Sequence, residues 1–120
     1  MKTDQFLTAP YSAEVEASVL GFLLQDNDSI YQVQGLEAEA FYVAFNANVY
    51  RAIQALSVAG KPFDIIMVYE QLKQSGKLIY GDELQRLSEL PSYLSSAKNL
   101  RRHVEIMGEM FQSRQLCVFW

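Results

Sequence analysis

Apolar residues return at every third or fourth position along this chain, and nowhere does an alternation of period two persist. Phe45, Val49, Ile53 and Leu56 follow one another at intervals of four, four and three, which is one stripe along an α-helix. Val15, Val19, Leu20, Leu23 and Leu24 repeat the pattern upstream. Ile65, Val68, Tyr69 and Leu72 repeat it downstream, as do Leu84, Leu87 and Leu90. Leu100, Val104, Met107 and Phe111 form the last stripe, widened by Ile106 and Met110. Helices with one apolar face must pack on one another, so the spacing predicts an all-α domain.

The punctuation between the stripes supports the same division. Ser12 is placed to cap the first helix, with Glu14 and Glu16 at the positive end of its dipole. Gly21 interrupts that helix and predicts close packing against another helix, where a side chain would not fit. The run Gln25 to Ser29 ends it and caps a short successor containing Ile30, Tyr31 and Val33, which Gly35 breaks. A turn around Phe41 and Tyr42 leads to the third helix, in which Ala52 and Ala55 permit close packing. Gly60 and Pro62 are a stop signal, and Asp64 is placed to cap the next helix, which Gly76 closes. Asp82 is placed to cap a short helix that Pro91 ends. Ser95 or Ser96 opens a longer final helix. Residues 1–9 read as a flexible arm, 10–94 as a helical head of about five to six helices, and 95–120 as the final helix and its tail.

Length and composition narrow the function. At 120 residues the chain has room for one domain. One Cys cannot form an internal disulfide, and one Cys with one His cannot build a zinc site. The expected setting is therefore reducing and cytoplasmic. No run of about 20 apolar residues is present to span a membrane, and the opening MKTDQF does not read as an export signal. Net charge is -4, against the basic excess usual in nucleic-acid modules. The charge is uneven: residues 1–45 carry seven acids and one Lys, and the remainder nine bases and seven acids. Such asymmetry gives either a dipolar surface that orients partners or ordinary solvated helix faces.

Catalytic patterns are missing. The phosphate-binding pattern GxxxxGK[ST] finds only Gly76-Lys77, followed by Leu78 where a hydroxyl is required and preceded by Gln71 where a Gly is required. Cys117 lies beside Val118, Phe119 and Trp120 and reads as incidental. His103 reads as a packed or surface residue. Glu14 and Glu16, two positions apart, do not face each other on a helix, and dipole compensation accounts for both. Phe41, Tyr42, Phe45 and Tyr50 read as core, with base stacking as the alternative. The last helix is the most informative element. It is broadly apolar, Met-rich and flanked by Lys98, Arg101 and Arg102, and Met suits adaptable contacts. It either folds back on the head or awaits a partner helix.

The segment Pro10 to Gly21 (PYSAEVEASVLG) resembles the P-x-S-x-E-A-E-x-S-V-L-G that opens the N-terminal domain of the bacterial replicative helicase, the DnaB family. Other fragments follow in order. Phe41-Tyr42 is similar to the family's FY, and Val49-Tyr50, Ala52 and Ile53 to its IY-x-AI. Gly60, Pro62 and Asp64 resemble G-x-P-x-D, and Leu72, Gly76 and Leu78 its L-x-x-x-G-x-L. Ser96, Asn99, Ile106 and Arg114 resemble S-x-x-N…I…R. The likeness runs from about residue 10 to 116. Gly108 and Met110 depart from it, standing where the family usually has basic residues.

The resemblance implies a helical head followed by a two-helix hairpin, six copies forming a collar as a trimer of dimers, on which primase docks. Residues 96–116 would be the first hairpin arm. The second arm, the linker and the motor that uses ATP and magnesium lie outside these 120 residues, so no cofactor is expected here. The implied role is subunit assembly and primase recruitment, with DNA met only indirectly. Leu100, Arg101, Val104, Met107, Met110, Phe111 and Arg114 are the expected contact residues. Two other readings remain open: a standalone regulator that competes for helicase or primase partners, and a small helical DNA-binding regulator.

Overall fold

The computed structural model describes residues 12–93 and 97–118. Within them the chain forms five α-helices, which we number α1 (Ala13–Gln25), α2 (Ala44–Val58), α3 (Ile65–Gln74), α4 (Glu83–Glu89) and α5 (Ala97–Val118). Short 3-10 turns cover Asn27–Val33, Ala38–Ala40 and Leu90–Tyr93. No strand occurs among the described residues. The all-α fold is as the spacing requires. The expectations for the arm at 1–9 and for a helix start at Ser95 or Ser96 lie outside the described residues, as does the side chain of Cys117.

Helix α1 is the axis of the head. Ser12 Oγ accepts from the Val15 amide at 3.3 Å and starts it. Val19, Leu20 and Leu23 are buried, and so are the flanking Phe22 and Leu24. Neighbours therefore close on it from several sides: α2, the turn at 90–93 and α5. Gly21 makes one of those approaches possible. A Cβ built there would stand 2.4 Å from the Leu90 carbonyl oxygen. The neighbour is the backbone of the Leu90–Tyr93 turn, and Ser18 Oγ donates to the Tyr93 carbonyl at 2.8 Å beside it.

Helices α2 and α3 end in the same way. At the end of α2, Gly60 adopts φ +73, its amide bonds Ser57 O at 3.0 Å, and the Lys61 amide bonds Leu56 O at 2.9 Å. At the end of α3, Gly76 has φ +72, with Gly76 to Lys73 at 3.2 Å and Lys77 to Leu72 at 2.9 Å. Both are Schellman closures, which satisfy two terminal carbonyls and favour a residue without a Cβ at the left-handed position. Asp64 caps α3 as expected, accepting from Met67 N at 2.8 Å.

One capping expectation needs correction. Asp82 makes no side-chain cap on α4; the neighbouring Glu83 gathers the amides of the preceding loop. The α-helix ends at Glu89, just before Pro91, as the sequence predicts. Pro91 itself sits in the 3-10 turn that follows, where the N–H a proline lacks would have had no partner in a first turn anyway.

Candidate interaction surface

Helix α5 carries every contact residue expected from the sequence, and the structure divides them. Leu100 and Met107 are buried in the chain's own core, and Val104 and Phe111 pack half-buried against it. The apolar stripe thus folds back on the head. Met110 is half-buried and Arg101 is exposed. On the outer side Arg102 reaches Glu105 at 3.2 Å and Glu109 at 3.8 Å, exposed pairs that contribute little each. Leu116, absent from the expected set, is 65% exposed near the end of the helix.

Arg114 has a different role from its neighbours. Its Nη2 donates to the Ala40 carbonyl at 2.8 Å, across 74 positions of sequence. Its guanidinium carbon lies 5.3 Å from the Tyr42 ring and 5.6 Å from the Phe111 ring, within reach of cation–π attraction. It fastens the far end of α5 to the turn before α2.

That turn is itself held by a buried acid. Glu16, only 2% exposed, accepts from Tyr42 N at 2.8 Å, Val43 N at 3.3 Å and Asn46 Nδ2 at 3.1 Å. Dipole compensation, the reading that its position in the first turn invites, accounts for exposed Glu14 but misses this. Glu16 is a clasp that ties α1 to the start of α2. A sequence signal exists: Glu16 shares a helical face with Val19, Leu20 and Leu23, and Asn46 shares one with Val49, Tyr50 and Ile53. A polar residue at a stripe position is a buried one, and buried polar groups need partners.

Glu83 obeys the same rule, in register with Leu87 and Leu90. Its Oε2 accepts from Ile79 N at 2.9 Å and Tyr80 N at 2.8 Å, and its Oε1 from Gly81 N at 2.9 Å. The Tyr80 amide foremost, then those of Glu83 itself, Ile79 and Gly81, holds its carboxyl below the ordinary value, against the opposing pull of burial. Among the aromatics, Phe41 and Tyr50 are core, their rings 4.9 Å apart. Burial pushes the Tyr50 hydroxyl up to about 12, so it stays a donor, to Leu36 O at 2.9 Å. Phe45 is half-buried beneath the Arg86 guanidinium, 4.1 Å from its centroid. Tyr42 is exposed.

Among the described residues every buried side-chain nitrogen or oxygen has a hydrogen-bond partner. No group of three His, Cys, Asp or Glu side chains is placed to hold a metal ion, again among the described residues. No described helix is long and apolar enough to cross a membrane. The site is a surface, with its polar groups committed to holding shape.

Comparison with known proteins agrees with this architecture. Residues 8–109 match the family model described as the DnaB-like helicase N terminal domain. The replicative DNA helicase DnaB of Rhodothermus marinus is 32% identical over 108 residues, covering 89% of this chain and 12% of that protein. That of Buchnera aphidicola (subspecies Baizongia pistaciae) is 28% identical over 116 residues, 96% of this chain and 25% of that protein. The chain thus spans a quarter or less of these relatives. The crystal structure of the N-terminal domain of DnaB helicase from Mycobacterium tuberculosis superposes with a TM-score of 0.85 at 32% identity, over 91% of this chain and 79% of that one. With the family model matching most of its length, the chain belongs to the DnaB-like helicase N-terminal domains.

Proposed function

We propose that this chain is an assembly and docking module of a replicative helicase in the cytoplasm. It orients subunits and presents a surface to primase, and it makes or breaks no bond itself. ATP and magnesium would act in a motor portion of the kind carried by the full-length relatives. DNA would be met through that portion and not directly by this domain.

One observation carries the reading. A helix of 22 residues, about 33 Å long at 1.5 Å per residue, is fastened at both ends to the head while its outer side stays accessible. Leu100 anchors the near end and Arg114 the far end. A long helix held at a defined angle is what a symmetric collar requires of each subunit.

The burial pattern also selects the right test. Met107→Glu would place a charge in the core and report on folding instead of contact. Arg101→Glu and Leu116→Glu lie at exposed positions and Met110→Glu at a half-buried one. Together they should lower the mass seen by light scattering and the primase retained in a pull-down, with the thermal melt unchanged. An unaltered mass and unaltered primase capture in a folded triple variant would overturn the assignment.

A further inference from the structure

The loop at residues 77–81 shows an unusual combination of rigid backbone and exposed apolar side chains. Its three successive amides, Ile79 to Gly81, all point into the Glu83 carboxylate. Its ends are set by Gly76 and Gly81, both at positive φ. Ile79 is nevertheless 66% exposed and Tyr80 78% exposed. A buried charged acceptor thus fixes a loop whose large side chains are turned away from the core. Fixing the loop backbone in advance removes part of the ordering cost of binding.

A groove of about 260 Å³ runs beside this loop, lined by Val43, Phe45, Lys77, Ile79, Tyr80 and Arg86 among others. Its apolar lining is Val43, Phe45, Ile79 and the Tyr80 ring. Its charges are Lys77, Arg86 and Glu83. Both Glu83 oxygens are occupied by loop amides. No described carboxylate comes within ion-pair distance of Lys77 or Arg86. The Arg86 guanidinium carbon lies 4.1 Å from the Phe45 ring centroid, and a guanidinium suits the fork of a planar carboxylate. On a chain of net charge -4, the groove's lining carries two bases and one committed acid, while Glu14 and Glu89 line the adjoining hollow that shares Arg86.

We propose that this groove docks an acidic, apolar-bearing peptide segment of another protein. An apolar side chain would fill the space between Phe45 and Tyr80, and a flanking carboxylate would meet Arg86 and Lys77. The proposal stands apart from the assembly role of α5, since none of these residues lies on that helix.

Titration of the isotope-labelled chain at low salt with a capped peptide of alternating Asp and Leu tests it by amide NMR. Saturable shifts should appear at residues 43–48 and 77–86. Replacing Asp with Asn in the peptide, or Lys77→Gln with Arg86→Gln in the chain, should each weaken binding about tenfold or more. Tyr80→Ser, at an exposed position, should weaken binding while leaving the remaining spectrum unchanged, which separates loss of contact from loss of fold. The proposal is overturned by non-saturable shifts, by shifts elsewhere, or by an affinity indifferent to these changes. It is equally overturned if the same amides shift with chain concentration alone, because the occupant would then be a second copy.

Discussion

Two buried glutamates do similar chemistry at different range. Glu16 and Glu83 each accept three N–H bonds and are each almost fully covered. The partners of Glu16 lie 26 to 30 positions away, on another helix and the turn before it. Those of Glu83 lie two to four positions away. A long-range clasp closes a large loop and so bears on the whole fold. A short-range clasp closes almost nothing and shapes only its own loop. The lesson is that the same polar triad can belong to the fold in one place and to a surface in another.

Glu16→Ala is the strongest way to break that comparison. It removes the acceptor for three donors, and buried unpaired groups cost about 1–3 kcal/mol each. With partial relaxation we expect a loss of about 3–5 kcal/mol in denaturant unfolding. If Glu16→Ala is nearly neutral, the clasp is not what joins α1 to α2. Gly21→Ala sharpens the contrast by spoiling packing on the same helix while leaving the Glu16 hydrogen bonds in place. Its new methyl would meet the Leu90 carbonyl oxygen, so a loss of about 1–3 kcal/mol is expected.

Arg114→Ala tests a clasp of intermediate kind, long in range but half-buried and directed to a neutral carbonyl. We expect a loss of about 1–2 kcal/mol, with faster amide exchange confined to the last turns of α5. Exchange that also accelerates in α1 would show that the far end of α5 supports the core.

Glu83→Ala should have the smallest global effect: an almost unchanged melt, with fast exchange at Ile79, Tyr80 and Gly81. The pH dependence has a definite sign. Because the carboxyl is held below its ordinary value in the folded chain, its contribution is full above the unfolded value and fades as pH falls through the folded one. Loop protection in the native chain should therefore decline on acidification through that window. In Glu83→Ala it should be low at every pH. Protection that is insensitive to acid would overturn the role given to this carboxylate.

The helices were legible in the sequence because their signals are local. Stripe spacing placed α1 to α5, Ser12 and Asp64 capped as read, and Gly60 and Gly76 closed their helices through bonds within six residues. The motif order from Pro10 to Arg114 made the family legible as well. Asp82 stands at the cap position by sequence but makes no cap bond, and the neighbouring Glu83 spends its carboxylate on the amides of the preceding loop, which sequence spacing alone does not distinguish. Pro91 marks the end of α4 as the sequence indicates, but the 3-10 turn that follows has no signal of its own.

The tertiary structure alone decided what the last helix and the buried polar residues do. Periodicity states that α5 has an apolar face but not which surface covers it, because any apolar surface removes it from water equally well. Glu16 and Asn46 each stand out on a stripe, yet only the fold brings them within 3.1 Å. Helix formation and capping depend on neighbours along the chain, so the sequence determines them directly. The clasps of Glu16 and Arg114, and the groove beside Tyr80, depend on distances between segments far apart in sequence, and those exist only once the helices have packed.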